Sequence, residues 1–428
     1  MSFNSLIKSR IVAHLASERR LLNRRDRAER RRQRRNAAHE VDYFHDVADP
    51  YAHLTAQVLQ RLEARYDIVL RPHLISCPPD GATPARAALQ AYSRLDATRL
   101  AVHAGLDFPD MPTSPTPERI DKARSLIAAA LDQPDFAETA VAVGAALWQG
   151  AILPDKPEAD PRTAMSQADA LLARRGHYLG ATFFYAGEWY WGIDRLHYLE
   201  DRLRELGAGT DDSCENLLFE PPFPDFQAPN RPDQARSDID IEMFGSFRSP
   251  YSWIAFDRVR ALACAWGVGF CFRPVLPMLM RGLAVPRQKS LYILGDVARE
   301  ARRMGIPFGR ACDPLGRAVE RGYALIGHAR EAGRLNDYVS SYLRGVWADG
   351  IDANTDQGLS RIVERAGLDW GQARPWLRDE GWRVEVEQNR QELTDLGLWG
   401  VPSFRVGETY FWGQDRLWLL EAAISKSS

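Results

Sequence analysis

The sequence has few cysteines and no long apolar run. Its cysteines form no Cys-x-x-Cys pair and no metal-ligand spacing; they are Cys77, Cys214, Cys264, Cys271 and Cys312. We therefore expect no disulfide framework and no metal site, and a reducing cytoplasm suits this set best. No apolar run approaches the ~18 residues of a membrane span, and the N-terminus lacks the apolar core of a secretory signal. We expect a cytoplasmic protein without a membrane partner.

The charge is balanced overall, with a net value of −2, but it is unevenly distributed. Residues 1–37 carry a local charge of +9, and ten arginines lie between Arg19 and Arg35. One interpretation is binding to nucleic acid or to an anionic surface through phosphate contacts. The other is a solvated basic helical extension whose apolar residues dock on the body, namely Ile7, Ile11, Leu15 and Leu22. We favour the second, because blocks of like charge are usually exposed tails, and we do not expect a nucleic-acid partner.

The chain contains an internal repeat of about two hundred residues. DYFHDVADPY at 42–51 resembles EMFGSFRSPY at 242–251, and GEWYWGIDRLHYLE at 187–200 resembles GETYFWGQDRLWLLE at 407–421. This length predicts two tandem copies of one domain. The second copy has Ser249-Pro250-Tyr251 and Gly400-Val401-Pro402 where the first has Asp49-Pro50-Tyr51 and Gly180-Ala181-Thr182. We therefore expect any chemistry in the C-terminal half.

Each half predicts a strand, a helix and a second strand, then a long helical stretch, two short strands and a final helix. In the second half the first strand covers 239–244, the helix runs from Pro250 to about Ala265, and the second strand covers 268–275. Parallel strands joined in this way need a right-handed crossover. We predict an α/β fold with two tandem thioredoxin-like domains, each interrupted by an all-α insertion.

The predicted domains follow from these elements. They are a basic helical extension at 1–37, a degenerate domain at 38–206, a linker rich in Pro, Asp and Gly at 207–237, and a second domain at 238–428 that holds the chemistry and whose helical insertion covers 278–396.

Four motifs of the C-terminal half resemble one branch of the DsbA-like superfamily. They are Ser249-Pro250-Tyr251-Ser252-Trp253, Phe272-Arg273-Pro274, Gly400-Val401-Pro402-Ser403-Phe404 and Phe411-Trp412-Gly413-Gln414-Asp415-Arg416-Leu417. The branch contains 2-hydroxychromene-2-carboxylate isomerases and kappa-class glutathione transferases. The resemblance covers about 190 residues, and the N-terminal half matches weakly, at its two ends.

The resemblance implies glutathione as cofactor and Ser249 as the catalytic residue. A hydroxyl at a helix N-terminus lies near free N–H groups and the positive end of the helix dipole. It can donate a hydrogen bond to a bound thiolate and lower the pKa of that thiol. The alternative is that Ser249 is a plain helix cap before a proline. Neither copy has a cysteine at this position, which argues against a dithiol oxidoreductase.

The resemblance also implies the remaining binding residues. Val401, before a cis Pro402, would hold the cysteinyl part of glutathione, and Gln414 and Asp415 would hold the γ-glutamyl end. Arg281, Arg287 and Lys289 lie in the segment that would bind the glycyl carboxylate, and Lys289 is our choice. The substrate cleft would contain Tyr251, Trp253 and Trp412, although core packing is an alternative for both tryptophans.

We expect a glutathione-dependent isomerase of a 2-hydroxychromene-2-carboxylate-like aromatic acid. One alternative is a kappa-class-like transferase that conjugates glutathione to an electrophile, and another is a non-catalytic binding or scaffold protein. In the first copy Asp49 replaces the serine, and a carboxylate there would repel a thiolate. Because relatives in this family act as homodimers, the two halves are predicted to form an internal pseudo-dimer.

Overall fold

The structure is a computed structural model that describes residues 3–210, 216–220 and 236–426, without the side chains of residues 3–8 and 236–238. Most of the predicted linker, and Cys214, lie outside the described residues. The chain divides into two compact units. The first unit comprises Leu22–Pro221 with Pro286–Tyr292, and the second comprises Met1–Leu21, Pro222–Val285 and Ile293–Ser428.

The N-terminal half contains two leading helices, a four-stranded sheet and a helical insertion. Its elements are α1 (Phe3–Ala16), α2 (Glu18–Arg34), β1 (His39–His45), α3 (Pro50–Ala56), α4 (Leu59–Arg65), β2 (Ile68–Leu74), α5 (Arg86–Ala104), α6 (Pro117–Ala130), α7 (Phe136–Gln149), α8 (Arg162–Arg175), β3 (Thr182–Tyr185), β4 (Glu188–Trp191) and α9 (Leu196–Glu205). The strand order is β2-β1-β3-β4, and β1 and β2 are parallel while the other pairs are antiparallel.

The C-terminal half repeats this architecture. Its elements are β5 (Arg236–Gly245), α10 (Pro250–Trp266), β6 (Val268–Pro274), α11 (Arg287–Arg303), α12 (Arg317–Ala324), α13 (Ile326–Glu331), α14 (Leu335–Trp347), α15 (Asp356–Arg365), α16 (Trp370–Ala373), α17 (Trp382–Asp395), β7 (Ser403–Val406), β8 (Thr409–Trp412) and α18 (Trp418–Lys426). The order is β6-β5-β7-β8 with the same strand directions. The predicted fold class is confirmed: both units are thioredoxin-like sheets interrupted by helices.

Helix α10 is well specified by its sequence. Ser249 is its N-cap, Pro250 occupies its first turn, and Gly267 ends it in the left-handed conformation. Its apolar face packs into a core that includes Ile254, Phe256 and Leu262, all fully buried. For the first unit the sequence predicts one helix over 50–65 as the equivalent of α10. The structure has two helices there, α3 and α4, separated at Gln57 and Val58.

The N-terminal extension is helical, as predicted, but the prediction of which apolar residues dock it on the body is wrong. Ile11, Leu15 and Leu22 are exposed by 52%, 37% and 49%, and the side chain of Ile7 lies outside the described residues. Val12 packs against the core of the second unit instead. In the first unit, Arg25 of α2 forms an ion pair of 2.7 Å with the buried Glu188. Val12 therefore anchors α1 and the Arg25–Glu188 ion pair anchors α2, while Ile11, Leu15 and Leu22 remain exposed.

The strand register corrects one assumed equivalence between the two halves. Thr182 pairs with Phe44 of β1, and Ser403 pairs with Phe244 of β5. Thr182 therefore corresponds to Ser403, and Ala181 rather than Thr182 stands where the second half has Pro402. Aligning Gly180 with Gly400 in the sequence places the two loops one residue out of register.

Candidate functional site

Ser249 lies at the N-terminus of α10, where its hydroxyl makes two contacts. The Oγ atom accepts a hydrogen bond from the amide of Ser252 at 3.1 Å and donates one to the carbonyl of Val401 at 3.3 Å. The residue is half-buried. The first contact is the expected helix cap, whereas the second joins the helix terminus to the loop before β7. The structure thus brings together Ser249 and Val401, which are 152 residues apart in the sequence.

The loop before β7 contains a cis peptide bond between Val401 and Pro402, as the resemblance implied. The carbonyl of Pro402 accepts a hydrogen bond of 3.0 Å from the amide of Gly413, at the end of β8. Gly400 allows the loop to pass closely over Trp412, because a Cβ atom at position 400 would overlap the indole ring. The helix start, the cis-proline loop and the corner after β8 are therefore adjacent.

The corner after β8 contains Gln414 and Asp415 in a short 3₁₀ turn. Gln414 is only 2% exposed; its side chain donates to Glu300 at 2.8 Å and accepts from Arg258 at 3.2 Å. The amide of Gln414 is thus used inside the fold, and only its backbone can serve a ligand. The Asp415 carboxylate is 20% exposed and lies 3.8 Å from the Arg416 guanidinium.

The three residues predicted for the substrate cleft differ in their surroundings. Trp253 is 5% exposed, and its indole N–H donates to the carbonyl of Pro307 at 2.9 Å, which matches the packing alternative. Trp412 is half-buried and lies against Trp399, with ring centroids 5.0 Å apart. Tyr251 is half-buried, and its hydroxyl donates to Asp296 at 2.7 Å. Trp412 and Tyr251 thus retain partial exposure close to the helix start.

The tyrosine–aspartate bond is a feature that sequence reasoning missed. Tyr51 donates to Asp96 at 2.7 Å in the first unit, with the same separation of 45 residues as Tyr251 and Asp296. In the second unit Arg299 also donates to Asp296 at 2.6 Å. The available signal was that these aspartates, like the tyrosines, are 200 positions apart in the sequence.

Arg281, one of the three basic candidates, contacts the segment before the cis-proline loop. Its Nη2 atom donates to the carbonyl of Trp399 at 2.7 Å, and its buried Nε atom has no hydrogen-bond partner among the described residues. Burial lowers the pKa of this guanidinium, and the charge of Arg390 lowers it further. Arg281 therefore combines a position beside the site with an unused buried donor, which a ligand carboxylate would satisfy.

Lys289, our choice from the sequence, belongs to the first unit. Its ammonium donates to the carbonyl of Ala82 at 3.2 Å, and burial lowers its pKa. Arg287 is the exposed first residue of α11. A glutathione contact by Lys289 stays a prediction, and Arg281 has the better geometric support.

The corresponding helix start of the first unit is acidic. Asp49 caps α3 by accepting from the amide of Tyr51 at 3.0 Å. Burial, reinforced by the charge of Asp46, raises the pKa of Asp49 to about 7. Burial also raises the pKa of Asp46 to about 6. The thiol of Cys77 lies 3.9 Å from Asp46, and burial raises its pKa to about 11. A thiolate would be disfavoured here.

Among the described residues, no group of three or more His, Cys, Asp or Glu side chains could hold a metal ion. No helix in the same part of the chain is long and apolar enough to cross a membrane.

The comparisons with known proteins match the C-terminal half. Residues 240–425 match the family model of the DSBA-like thioredoxin domain. The resemblance predicted from the sequence is therefore confirmed for the C-terminal half of this chain.

Its relatives include both enzymes of the branch. A 2-hydroxychromene-2-carboxylate isomerase of Pseudomonas putida is 23% identical over 194 residues, covering 44% of this chain and 94% of the relative. Glutathione S-transferase kappa 1 of Rattus norvegicus is 26% identical over 200 residues, covering 42% and 88%.

Two solved structures are also similar to this chain. The structure of a 2-hydroxychromene-2-carboxylate isomerase is 23% identical with a TM-score of 0.38, covering 44% of this chain and 95% of its own. A probable DsbA oxidoreductase from Streptomyces coelicolor is 20% identical with a TM-score of 0.36, covering 44% and 89%.

Proposed function

We propose that this protein is a glutathione-dependent enzyme with one active site, in the second unit, where Ser249 stabilises the thiolate of bound glutathione. The observation that carries the proposal is the contact between the Ser249 hydroxyl and the Val401 carbonyl at 3.3 Å, beside cis Pro402. The isomerase and transferase relatives support the same class of chemistry.

The position of Ser249 suits a thiolate for two reasons. The N-terminus of the 17-residue helix α10 presents a positive partial charge. The hydroxyl has one proton, which it donates to the carbonyl of Val401. When glutathione binds, that proton turns toward the sulfur, since a thiolate is the stronger acceptor. Both effects lower the thiol pKa from its usual value of about 8.5.

The surrounding residues would hold the peptide parts of glutathione. The backbone of Val401 would pair with the cysteinyl residue as a short extended segment. The backbone at Gln414 and the carboxylate of Asp415 would bind the γ-glutamyl carboxylate and ammonium. Arg281 would pair with the glycyl carboxylate, since its buried Nε atom has no hydrogen-bond partner in the part of the chain that the structure describes. These donors and acceptors match the charge distribution of glutathione.

The favoured reaction is isomerisation of a 2-hydroxychromene-2-carboxylate-like acid through reversible addition of glutathione. The half-buried rings of Tyr251 and Trp412 would contact the aromatic substrate. Glutathione transfer to an electrophile is the second candidate, and the kappa-class relatives support it. Both reactions use the same thiolate, so the site residues have the same roles in each. The protein also has no cysteine at the start of α10, which argues against dithiol exchange at this site.

The first unit would have lost this chemistry and kept a structural role. Asp49 replaces the serine, and Ala181 stands at the position of the cis-proline. We propose that the two halves act as an internal pseudo-dimer in the cytoplasm. The solution mass of residues 238–428 alone tests this, because self-association is expected when the partner half is missing.

An activity assay of the full chain distinguishes the candidates. Purified protein is incubated with reduced glutathione and either 2-hydroxychromene-2-carboxylate or an aryl halide, and turnover is followed by absorbance. Glutathione-dependent loss of the chromene, slowed roughly tenfold or more in Ser249→Ala, supports the isomerase. Conjugation of the aryl halide without chromene turnover supports the transferase. Glutathione-independent turnover contradicts the proposed function, and no turnover with either substrate favours a binding protein instead.

A further inference from the structure

The helical insertion of the second unit contains an arginine-rich cavity that the proposed reaction does not use. Its volume is about 780 Å³, within the range of small-molecule sites. The cavity lies among α12, the segment from α16 through the following 3₁₀ turn, and the start of α17. Five arginines line it: Arg317, Arg321, Arg374, Arg378 and Arg383.

The acidic residues of the cavity neutralise only part of this charge. Three carboxylates line it, from Glu320, Asp356 and Glu380. Asp356 pairs with two of the arginines: it accepts hydrogen bonds from Arg321 at 2.5 Å and from Arg374 at 3.2 Å. The hydrogen bond from Arg321 accordingly lowers the pKa of Asp356.

The remaining acids are engaged with a single arginine. Glu380 pairs with Arg383, whose guanidinium is also 3.7 Å from Glu320. Five guanidinium groups and three carboxylates leave two positive charges in excess. The carboxylates therefore cannot account for all the arginines that the fold gathers here.

Two of the arginines carry this excess. Among the described residues, the guanidinium groups of Arg317 and Arg378 have no ion-pair or hydrogen-bond partner, and both side chains are exposed. Arg321 is held deeper, with its side chain 11% exposed and its Nε atom buried without a partner. Unused guanidinium donors in a concave site match oxyanions, since each planar fork can bind a phosphate or carboxylate through two parallel hydrogen bonds.

We propose that this cavity binds a small polyanion, one that carries two or more phosphate or carboxylate groups, with Arg317 and Arg378 as its main contacts. The volume favours a small molecule over the backbone of a nucleic acid. Such a ligand would neutralise the excess charge while Asp356 holds Arg321 and Arg374 in place. The site is separate in its residues from Ser249 and the cis-proline loop, so the proposal is independent of the proposed function.

Calorimetric titration of the full-length protein tests the proposal, with pyrophosphate and citrate as probes at matched ionic strength. Pyrophosphate represents the phosphate source and citrate the carboxylate source. We expect one molecule bound per chain for at least one probe. The double variant Arg317→Ala/Arg378→Ala should weaken binding by roughly tenfold or more per arginine, since charged hydrogen bonds contribute about 1.5–3 kcal/mol each.

Two controls keep the test specific. Arg361→Ala removes an exposed arginine of the same unit that does not line the cavity, and its binding should equal that of the wild type. Arg317→Lys/Arg378→Lys keeps the charge but loses the planar fork, so its affinity should fall between those of the wild type and the alanine variant. No binding of either probe, or equal affinity in the wild type and the double alanine variant, would overturn the proposal.

Discussion

Ser249 has a structural role as a helix cap, and we propose that the same side chain has a chemical role. Its Oγ atom caps α10 through the amide of Ser252, while its proton points to the Val401 carbonyl. A cap needs only the lone pair, so the proton remains available to a ligand. Substituting Ser249 and, separately, a helix-capping residue far from the proposed site therefore separates the effect of losing a cap from the effect of losing the donor to the ligand.

Substitution Ser249→Ala should affect both stability and turnover. Loss of the cap should lower the free energy of unfolding by about 0.5–2 kcal/mol. Loss of the donor should slow glutathione-dependent turnover roughly tenfold or more, since a hydrogen bond to a charged group contributes about 1.5–3 kcal/mol. Thr355→Ala is the matched control, because Thr355 caps α15 by accepting from Gly358 at 3.0 Å. Equal turnover in the two variants would mean that Ser249 is only a cap.

Substitution Arg281→Ala should weaken glutathione binding through the glycyl carboxylate alone. Calorimetry should show roughly tenfold or greater loss of affinity for glutathione, and little change for a glutathione ester whose glycyl carboxylate is blocked. Lys289→Ala is the comparison, because the sequence favoured Lys289 and the structure favours Arg281. If the ester and the free acid lose affinity equally, Arg281 does not bind that carboxylate.

Substitution Asp49→Asn should stabilise the protein in a pH-dependent manner. Burial raises the pKa of Asp49 from 3.8 to about 7 in the folded state. Between these values the unfolded chain ionises while the folded one stays protonated, so the wild type loses stability as the pH rises. Asparagine keeps the helix cap without the charge.

Thermal or urea unfolding at several pH values measures this difference. The advantage of Asp49→Asn should be absent below about pH 4, grow toward pH 7 and then level off. Asp132→Asn, at an exposed position of the same unit, should show no such trend. An advantage that is constant with pH would contradict the role of burial.

Local sequence indicated Ser249, Val401 and Pro402 because each belongs to a motif with its own signature. Arg281 and the Tyr251–Asp296 pair depend instead on how distant segments meet. Arg281 is 118 residues from Trp399, whose carbonyl it contacts. Similarly, only the strand register identifies Ala181 as the equivalent of Pro402. Both loops contain a glycine, and aligning these two glycines gives the wrong equivalence.

At the scale of elements, the helix and strand boundaries were largely predictable. The predicted strand over 268–275 is β6, and the predicted helix from Pro250 to about Ala265 is α10. These elements have local signals: a cap with proline at the start, a left-handed glycine at the end, and β-favouring apolar residues. The break between α3 and α4 has no such signal, since neither Gln57 nor Val58 is a helix breaker.

The cis-proline loop depends on Gly400 for its close approach to Trp412. Gly400→Ala should lower the free energy of unfolding by about 1–3 kcal/mol, because the added methyl group would overlap the indole ring and displace the loop. Glutathione affinity should fall with it, since Val401 moves. Gly295→Ala is the control: its added Cβ meets nothing, and it should be neutral or stabilising by about 0.5–1 kcal/mol within α11. Unchanged stability and affinity in Gly400→Ala would show that the loop adapts.

At the scale of the whole molecule, two units share a topology but differ in their helix starts. The second unit has a serine and a cis-proline, whereas the first has Asp49 and Ala181. The same strand order and the matching tyrosine–aspartate bonds support a common origin of the two halves. Only the C-terminal half matches the family model. We therefore propose a glutathione site in the second unit alone.

The pH titration of the thiol of glutathione bound to the full chain tests this assignment most directly. Thiolate absorbance is followed at saturating protein, in the wild type, in Ser249→Ala and in Asp49→Asn. The account predicts one glutathione per chain, with a thiol pKa below the usual value of about 8.5. This lowering should disappear in Ser249→Ala and persist in Asp49→Asn. A bound thiol that titrates at its usual value in the wild type, or a lowering that depends on Asp49 instead, would contradict the account.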